Sequence, residues 1–129
     1  MSREDFEVVL AAWGPKGADG IIPHAHPDIE IVPFGAAFEG RSYHGHEGVR
    51  EWWEQQILPN WERFETYPES YEEVNGHLVV FGHWIATGRQ SGVELRMPAT
   101  WIVDVRDGKI ARWQTYTDRE EALRDARGA

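Results

Sequence analysis

The sequence has no cysteine. Disulfides, thiolate nucleophiles and cysteine-held metals are therefore excluded. No apolar run approaches the ~20 residues that cross a bilayer, so no membrane partner is expected. Basic residues are scarce: 13 Lys and Arg face 22 Asp and Glu, a formal charge of −9. Such a surface repels phosphate backbones, and nucleic acid is not expected as a partner. The opening Met1-Ser2-Arg3-Glu4-Asp5 is acidic and lacks an apolar leader segment, so a cytoplasmic location is expected. Repeats, low-complexity tracts and linkers are missing too. The 129 residues read as one domain, 1–129. A chain of this length buries roughly two-thirds of its unfolded surface.

Aromatic side chains are what the chain has in excess. Seven Trp in a sequence 41% hydrophobic argue for a packed globule. Phe6, Val9, Leu10 and Trp13 recur at helical spacing, ended by Gly14-Pro15. Residues 17–26 are ambiguous, because Pro23 interrupts any helix begun at Asp19. Asp28 to Phe34 reads as a strand, and Gly35 to Gly45 as loop or short strand. Val49, Trp52, Trp53, Gln56 and Ile57 mark another helix, stopped at Pro59, with Trp61 and Phe64 in a following turn. Asn75-Gly76 and Asp107-Gly108 are two-residue hairpin signals joining strands 67–74 to 77–87 and 93–106 to 109–116. Thr117 with Glu120 makes a capping box for a last helix, 118–127. Helices first and an antiparallel meander after them mean an α+β fold.

Three segments carry a resemblance. They are His26-Pro27-Asp28-Ile29-Glu30, then Tyr43-His44-Gly45-His46-Glu47-Gly48-Val49-Arg50-Glu51-Trp52-Trp53, then Val105-Arg106-Asp107-Gly108-Lys109-Ile110 followed by Tyr116, Asp118, Arg119 and Ala122-Leu123. In this order and spacing they resemble the SnoaL-like branch of the NTF2-like superfamily. The resemblance implies a cone-shaped fold, with N-terminal helices packed on a curved, mainly antiparallel sheet around one apolar pocket. The family hosts polyketide cyclases, isomerases, epoxide hydrolases, dehydratases and plain ligand binders, so the fold alone does not select a function.

The catalytic acids of the family's enzymes are not found. Laid over the ketosteroid isomerase branch, the general-base position falls at Val32 and the oxyanion aspartate near Thr100. The cyclase aspartate is replaced in Trp113-Gln114-Thr115, and glutamine cannot act as a base. The Asp-Arg-Asp set of the epoxide hydrolases has no counterpart. His83, mid-strand between Phe81 and Trp84, and Glu30 are the remaining acid–base candidates. Each has a structural alternative, as a satisfied core or interface side chain. His24-x-His26 and His44-x-His46 have metal-ligand spacing, but they fall at a junction and a helix start. No bound metal and no cofactor is expected.

The candidate pocket comprises Trp13, Phe34, Trp53, Phe64 and Tyr116 as walls, with Thr100, Gln114, Arg96 and Arg112 as polar points. Such a pocket suits a small, flat hydrophobic molecule. Three readings stand: an isomerase, cyclase or dehydratase acting on a ketone or polycyclic substrate; a non-catalytic binder; and a dimeric module with a vestigial pocket. A homodimer is expected through a sheet face bearing Trp84, Trp101, Ile102, Val103 and Trp113.

Overall fold

The computed structural model describes residues 2–33 and 42–128. Helix α1 covers Ser2–Ala12, α2 Ala18–Ile21, and a 3-10 turn Ile22–His24 leads into β1, Ala25–Val32. Strand β2, Tyr43–His44, precedes α3, Gly45–Trp52, which runs on as a π-turn through Trp53–Ile57. The meander follows: β3 Trp61–Val74, β4 His77–Gly88, β5 Glu94–Arg106 and β6 Lys109–Tyr116. Helix α4, Arg119–Arg127, closes the chain.

The strands form one sheet in the order β2-β1-β6-β5-β4-β3. β1 runs parallel to β6, and the other neighbours are antiparallel. Both hairpins expected from sequence are present. Asn75 and Gly76 have φ of 51° and 81°, Asp107 and Gly108 of 56° and 74°, the paired positive values of a type I′ turn. The α+β class and the ketosteroid isomerase-like sheet architecture are as anticipated.

Four local expectations are corrected. Strand β1 starts at Ala25 rather than Asp28, with a register shift between Ala25 and Glu30 that accommodates Pro27. Trp61 and Phe64 lie in β3, not in a turn after the helix. A shift between Trp61 and Arg63 breaks the alternation there and hides the strand. Leu10 is exposed, so the buried stripe of α1 runs through Val9 and Ala12 to Trp13. Asp118, not Thr117, caps α4: its carboxylate accepts from the backbone N–H groups of Glu120 and Glu121. A bulge between Pro68 and Ser70 bends β3, and Gly82 opposite it has no room for a side chain, because a Cβ would collide with the Tyr67 carbonyl.

Two cores lie on opposite faces of the sheet. The larger, inner core packs α1, α2 and α3 against Ile29, Ile31, Leu78, Val80, Ala99, Trp101, Val103, Ile110 and Trp113. The smaller packs Ala122, Leu123 and Ala126 of α4 on Val79, Ile102 and Tyr116 at the outer face. Successive strand residues therefore serve different cores. Trp101, Ile102, Val103 and Trp113 are all buried within this one chain and form no open dimer face.

Candidate functional site

The site is built where the helices meet the inner sheet face. α1 ends at Ala12, and the Trp13 N–H still bonds back to the Val9 carbonyl at 3.0 Å. This places the Trp13 indole over the sheet, with ring centroids 4.7 Å from Trp101 and 4.9 Å from Trp113. Trp52, at the end of α3, meets Trp113 edge to face at 5.6 Å. Trp53 and Phe64 continue the cluster, 6.3 Å apart. Such tilted and edge-on pairs contribute about 0.5–1.5 kcal/mol each beyond their burial.

A small cavity sits among these rings. It is lined by Ala12, Trp13, Gly14, Gly17, Ile21, Trp52, Trp53, Phe64, Thr66 and Trp113. Its volume is about 10 Å³, no more than one water molecule requires. The rings themselves occupy the space that a ligand would take. Among the described residues, no lining side chain is a carboxylate, imidazole, ammonium or guanidinium.

One polar atom here is out of balance. Trp13 is only 7% exposed, and its Nε1–H has no acceptor among the described residues. Leaving a buried donor unmatched costs about 1–3 kcal/mol. The other polar side-chain groups of the lining residues are the Thr66 hydroxyl and the indole N–H groups of Trp52, Trp53 and Trp113.

The mouth of the cavity depends on a glycine and a π-turn. Gly17 has φ +61°, and a Cβ there would stand 2.6 Å from Cη2 of Trp53 and closer still to the ring's inner atoms. The Trp53 indole thus lies directly against the bare backbone of Gly17. Trp53 opens the π-turn, whose 2.9 Å bond runs from the Leu58 N–H to the Trp53 carbonyl. Single π-turns of this kind concentrate at functional sites. Trp53 is half-buried, whereas Trp13, Trp52 and Trp113 are buried.

Of the residues expected to line one pocket, Trp13, Trp53 and Phe64 come together around this cavity. Phe34 lies outside the described residues. Thr100, Arg112, Gln114 and Tyr116 are corrected to the outer face. Thr100 pairs with Phe81 and Tyr116, and Tyr116 packs under α4. Gln114 pairs with Ile102 and accepts from Arg112 at 3.2 Å. Arg96 is also on the outer face, opposite Ile85, with its guanidinium 3.4 Å from Nε2 of His83. The physical reason is the period of two: counting one residue off sends every side chain of a strand through the sheet. The inward positions of β5 and β6 are Ala99, Trp101, Val103 and Trp113. Ala12, Gly14, Gly17, Ile21, Trp52, Thr66 and Trp113 join them in the lining, and none of these is among the pocket residues expected from sequence. The Asp107-Gly108 turn alone would set Ile102 opposite Trp113; a bulge between Asp104 and Val105 shifts the ladder so that Val103 pairs with Trp113, and that bulge has no signal in the turn.

The two acid–base candidates are also on the outer face, already engaged. Glu30 accepts from Arg112 Nε at 2.9 Å. His83 stacks on Tyr67 with centroids 5.2 Å apart, and its Nδ1 sits 3.2 Å from the Glu69 carboxylate. Near it, Glu65 accepts from both Arg63 and Tyr67. The Arg63 hydrogen bond holds the Glu65 carboxyl below its usual range, against the opposing effect of burial. Glu65 in turn raises the Tyr67 phenol. The paired histidines do not converge. His46 Nε2 donates to the Ala25 carbonyl at 2.9 Å, His44 faces Ser42, and His26 Nδ1 accepts from the Asp28 N–H.

A bent six-stranded sheet packed under N-terminal helices is the NTF2-like architecture. The SnoaL-like domain model matches residues 6–113, and the chain belongs to that family. No curated protein sequence matches. Among solved structures, TerC co-crystallised with polyporic acid is 23% identical with a TM-score of 0.73, covering 98% of this chain and 99% of that one. An NTF2-like protein of unknown function from Burkholderia pseudomallei K96243 is 16% identical with a TM-score of 0.71, covering 94% and 95%. A putative SnoaL-like polyketide cyclase from Jannaschia sp. CCS1 is 15% identical with a TM-score of 0.70, covering 99% and 94%. At these identities the likeness concerns the fold.

Proposed function

We propose that this SnoaL-like domain binds a small hydrophobic molecule among Trp13, Trp52, Trp53, Phe64 and Trp113, and that the pocket holds rather than converts it. The observation that supports this is the chemistry of the lining: aromatic rings, small residues and one hydroxyl, with no titratable side chain among the described residues. General acid–base groups typically contribute ~10²–10⁴-fold to a reaction, and Glu30 and His83 sit across the sheet from the cavity. TerC, whose structure was determined with polyporic acid, is a relative in fold that meets a small molecule. A ligand that binds only the folded state raises the melting temperature by linkage. A panel of hydrophobic compounds is expected to include members that raise it and quench Trp fluorescence, and that are recovered unchanged. A panel with no stabilising member sinks the binding reading, and turnover at appreciable rate sinks the non-catalytic one.

The proposal includes a second copy of the chain. Leu58, Val93, Leu95 and Met97 are exposed, at 41%, 56%, 38% and 42%. Leu95 and Met97 share a strand face with half-buried Trp84, which pairs with Met97. An apolar strip of this kind is the surface a homodimer would cover.

A further inference from the structure

We propose that Trp53 is the door of the cavity, and that the occupant is a neutral, flat molecule whose oxygen accepts a hydrogen bond from the Trp13 indole. The inference rests on the small-molecule reading above and goes further, naming the ligand's polar group and its way in.

The door follows from comparing the rings. Trp13 is wedged between Trp101 and Trp113, and Trp52 against Trp113, all buried. Moving any of these breaks the inner core. Trp53 is half-buried and lies on Gly17, a residue without side-chain atoms to hold it. Its carbonyl accepts the π-turn bond from Leu58, while its N–H bonds back to the helix at Val49 and Arg50. In the closed arrangement about 10 Å³ is left, so entry requires a ring to move, and Trp53 is the ring with least behind it.

The ligand's chemistry follows from the unmatched donor. Trp13 Nε1–H is buried, lines the cavity wall by its ring, and has no acceptor among the described residues. A buried donor left unmatched by the fold is open to an acceptor that a ligand or a water molecule brings. A carbonyl or quinone oxygen supplies one, and the flat ring bearing it would pack on the indoles. Thr66, the hydroxyl-bearing residue of the lining, offers a second hydrogen bond. Ring faces also attract cations. An N–H hydrogen carries partial positive charge, however, and where it meets the ligand it disfavours an ammonium group and favours a carbonyl.

Calorimetric titration of the purified protein with 1-indanone, indane and tetramethylammonium tests this. The first two have the same shape and differ by the carbonyl. Indanone is expected to bind at least about fivefold tighter than indane, the ratio of one neutral hydrogen bond. Trp13→Phe should remove that preference, so that indanone and indane bind the variant alike. Because Trp13→Phe touches the core, the wild-type protein gives an independent readout: the Trp13 indole proton should move downfield in NMR spectra when indanone is added. Trp53→Ala, folded by circular dichroism, should speed association of both neutral compounds. Equal binding of indanone and indane, an unmoved indole proton, or preference for tetramethylammonium overturns the acceptor proposal while the binding reading stands. Association unchanged in Trp53→Ala overturns the door. If neither wild type nor Trp53→Ala binds any of the three, both the proposal and the small-molecule reading fail.

Discussion

The phenol of Tyr116 donates to the Asp125 carboxylate at 2.7 Å, tying the last strand to the last helix. Burial is the main reason the Tyr116 pKa is raised, and the Asp125 hydrogen bond adds to it. A raised pKa favours the protonated, folded form. Its contribution is fully present below the ordinary tyrosine value of 10.0 and is lost as pH climbs through the higher folded value. Tyr116→Phe is therefore expected to lower stability by about 1–2 kcal/mol at neutral pH. It should also remove one alkaline titration step from the unfolding free energy. Urea melts between neutral pH and the upper limit of reversibility check both, and a flat alkaline difference between the two proteins would contradict the assignment.

The contact between Gly17 and Trp53 supports a double-mutant cycle. Gly17→Ala puts a side chain at φ +61° and drives it into the Trp53 ring. The backbone part costs about 1–2 kcal/mol, and the collision adds a comparable overpacking cost of about 1–3 kcal/mol. In a Trp53→Ala background only the backbone part should persist. Chemical denaturation of the four proteins measures the coupling. Additive effects would show that the ring does not rest on the glycine.

Much of this fold was legible because its turns are spelled out in residue type. Asn75-Gly76 and Asp107-Gly108 fix two hairpins, and the Val49, Trp52, Ile57 spacing fixes a helix. Which face each strand presents was not legible. Ala99, Thr100, Trp101, Ile102 and Val103 are buried in succession, because α1–α3 cover one face and α4 the other. A strand covered on both sides shows no alternation to read. The candidate polar residues Thr100, Gln114, Arg112 and Glu30 were thus placed one position out of phase, and the Trp residues beside them hold the inner site. Val32, read as the counterpart of a catalytic base, pairs with Gln114, away from the inward Ile31 and Trp113. The tryptophans were visible as an excess, but only the register shows which of them face each other.

That phase has measurable consequences on β5. Trp101→Ala empties the centre of the inner core and is expected to cost about 3–5 kcal/mol. Thr100→Trp overfills the other face, beneath α4, at about 1–3 kcal/mol. Compounds that bind the wild-type pocket should still bind folded Thr100→Trp. If Thr100→Trp instead abolishes binding with its fold intact, the face assignment is wrong.

Leu95 and Met97 test the second copy. Replacing both with glutamate puts charge on the strip that a partner would cover. Light scattering should give the mass of two chains for the wild type and of one chain for Leu95→Glu/Met97→Glu, at equal micromolar concentration. A monomeric wild type removes the dimer from the account.

Glu30 and His83 provide the sharpest separation between a pocket that holds and a pocket that reacts. Glu30 is bound to Arg112, and His83 lies between Tyr67, Glu69 and Arg96, on the face opposite the cavity. Glu30→Gln keeps the shape of its side chain, His83→Gln gives up the ring for a polar amide, and each removes the acid–base capacity. Neither is expected to change the affinity of any pocket ligand by more than about twofold, since neither reaches it, and a twofold change is well under 1 kcal/mol. Wild type and both variants should likewise show negligible turnover of a Δ5-ketosteroid or a polyketide aldehyde, because the inward positions Ile29, Ile31, Ala99, Trp101, Val103 and Trp113 supply no proton acceptor. Robust turnover by the wild type that disappears in either variant would place the chemistry on the outer face and reverse the functional reading.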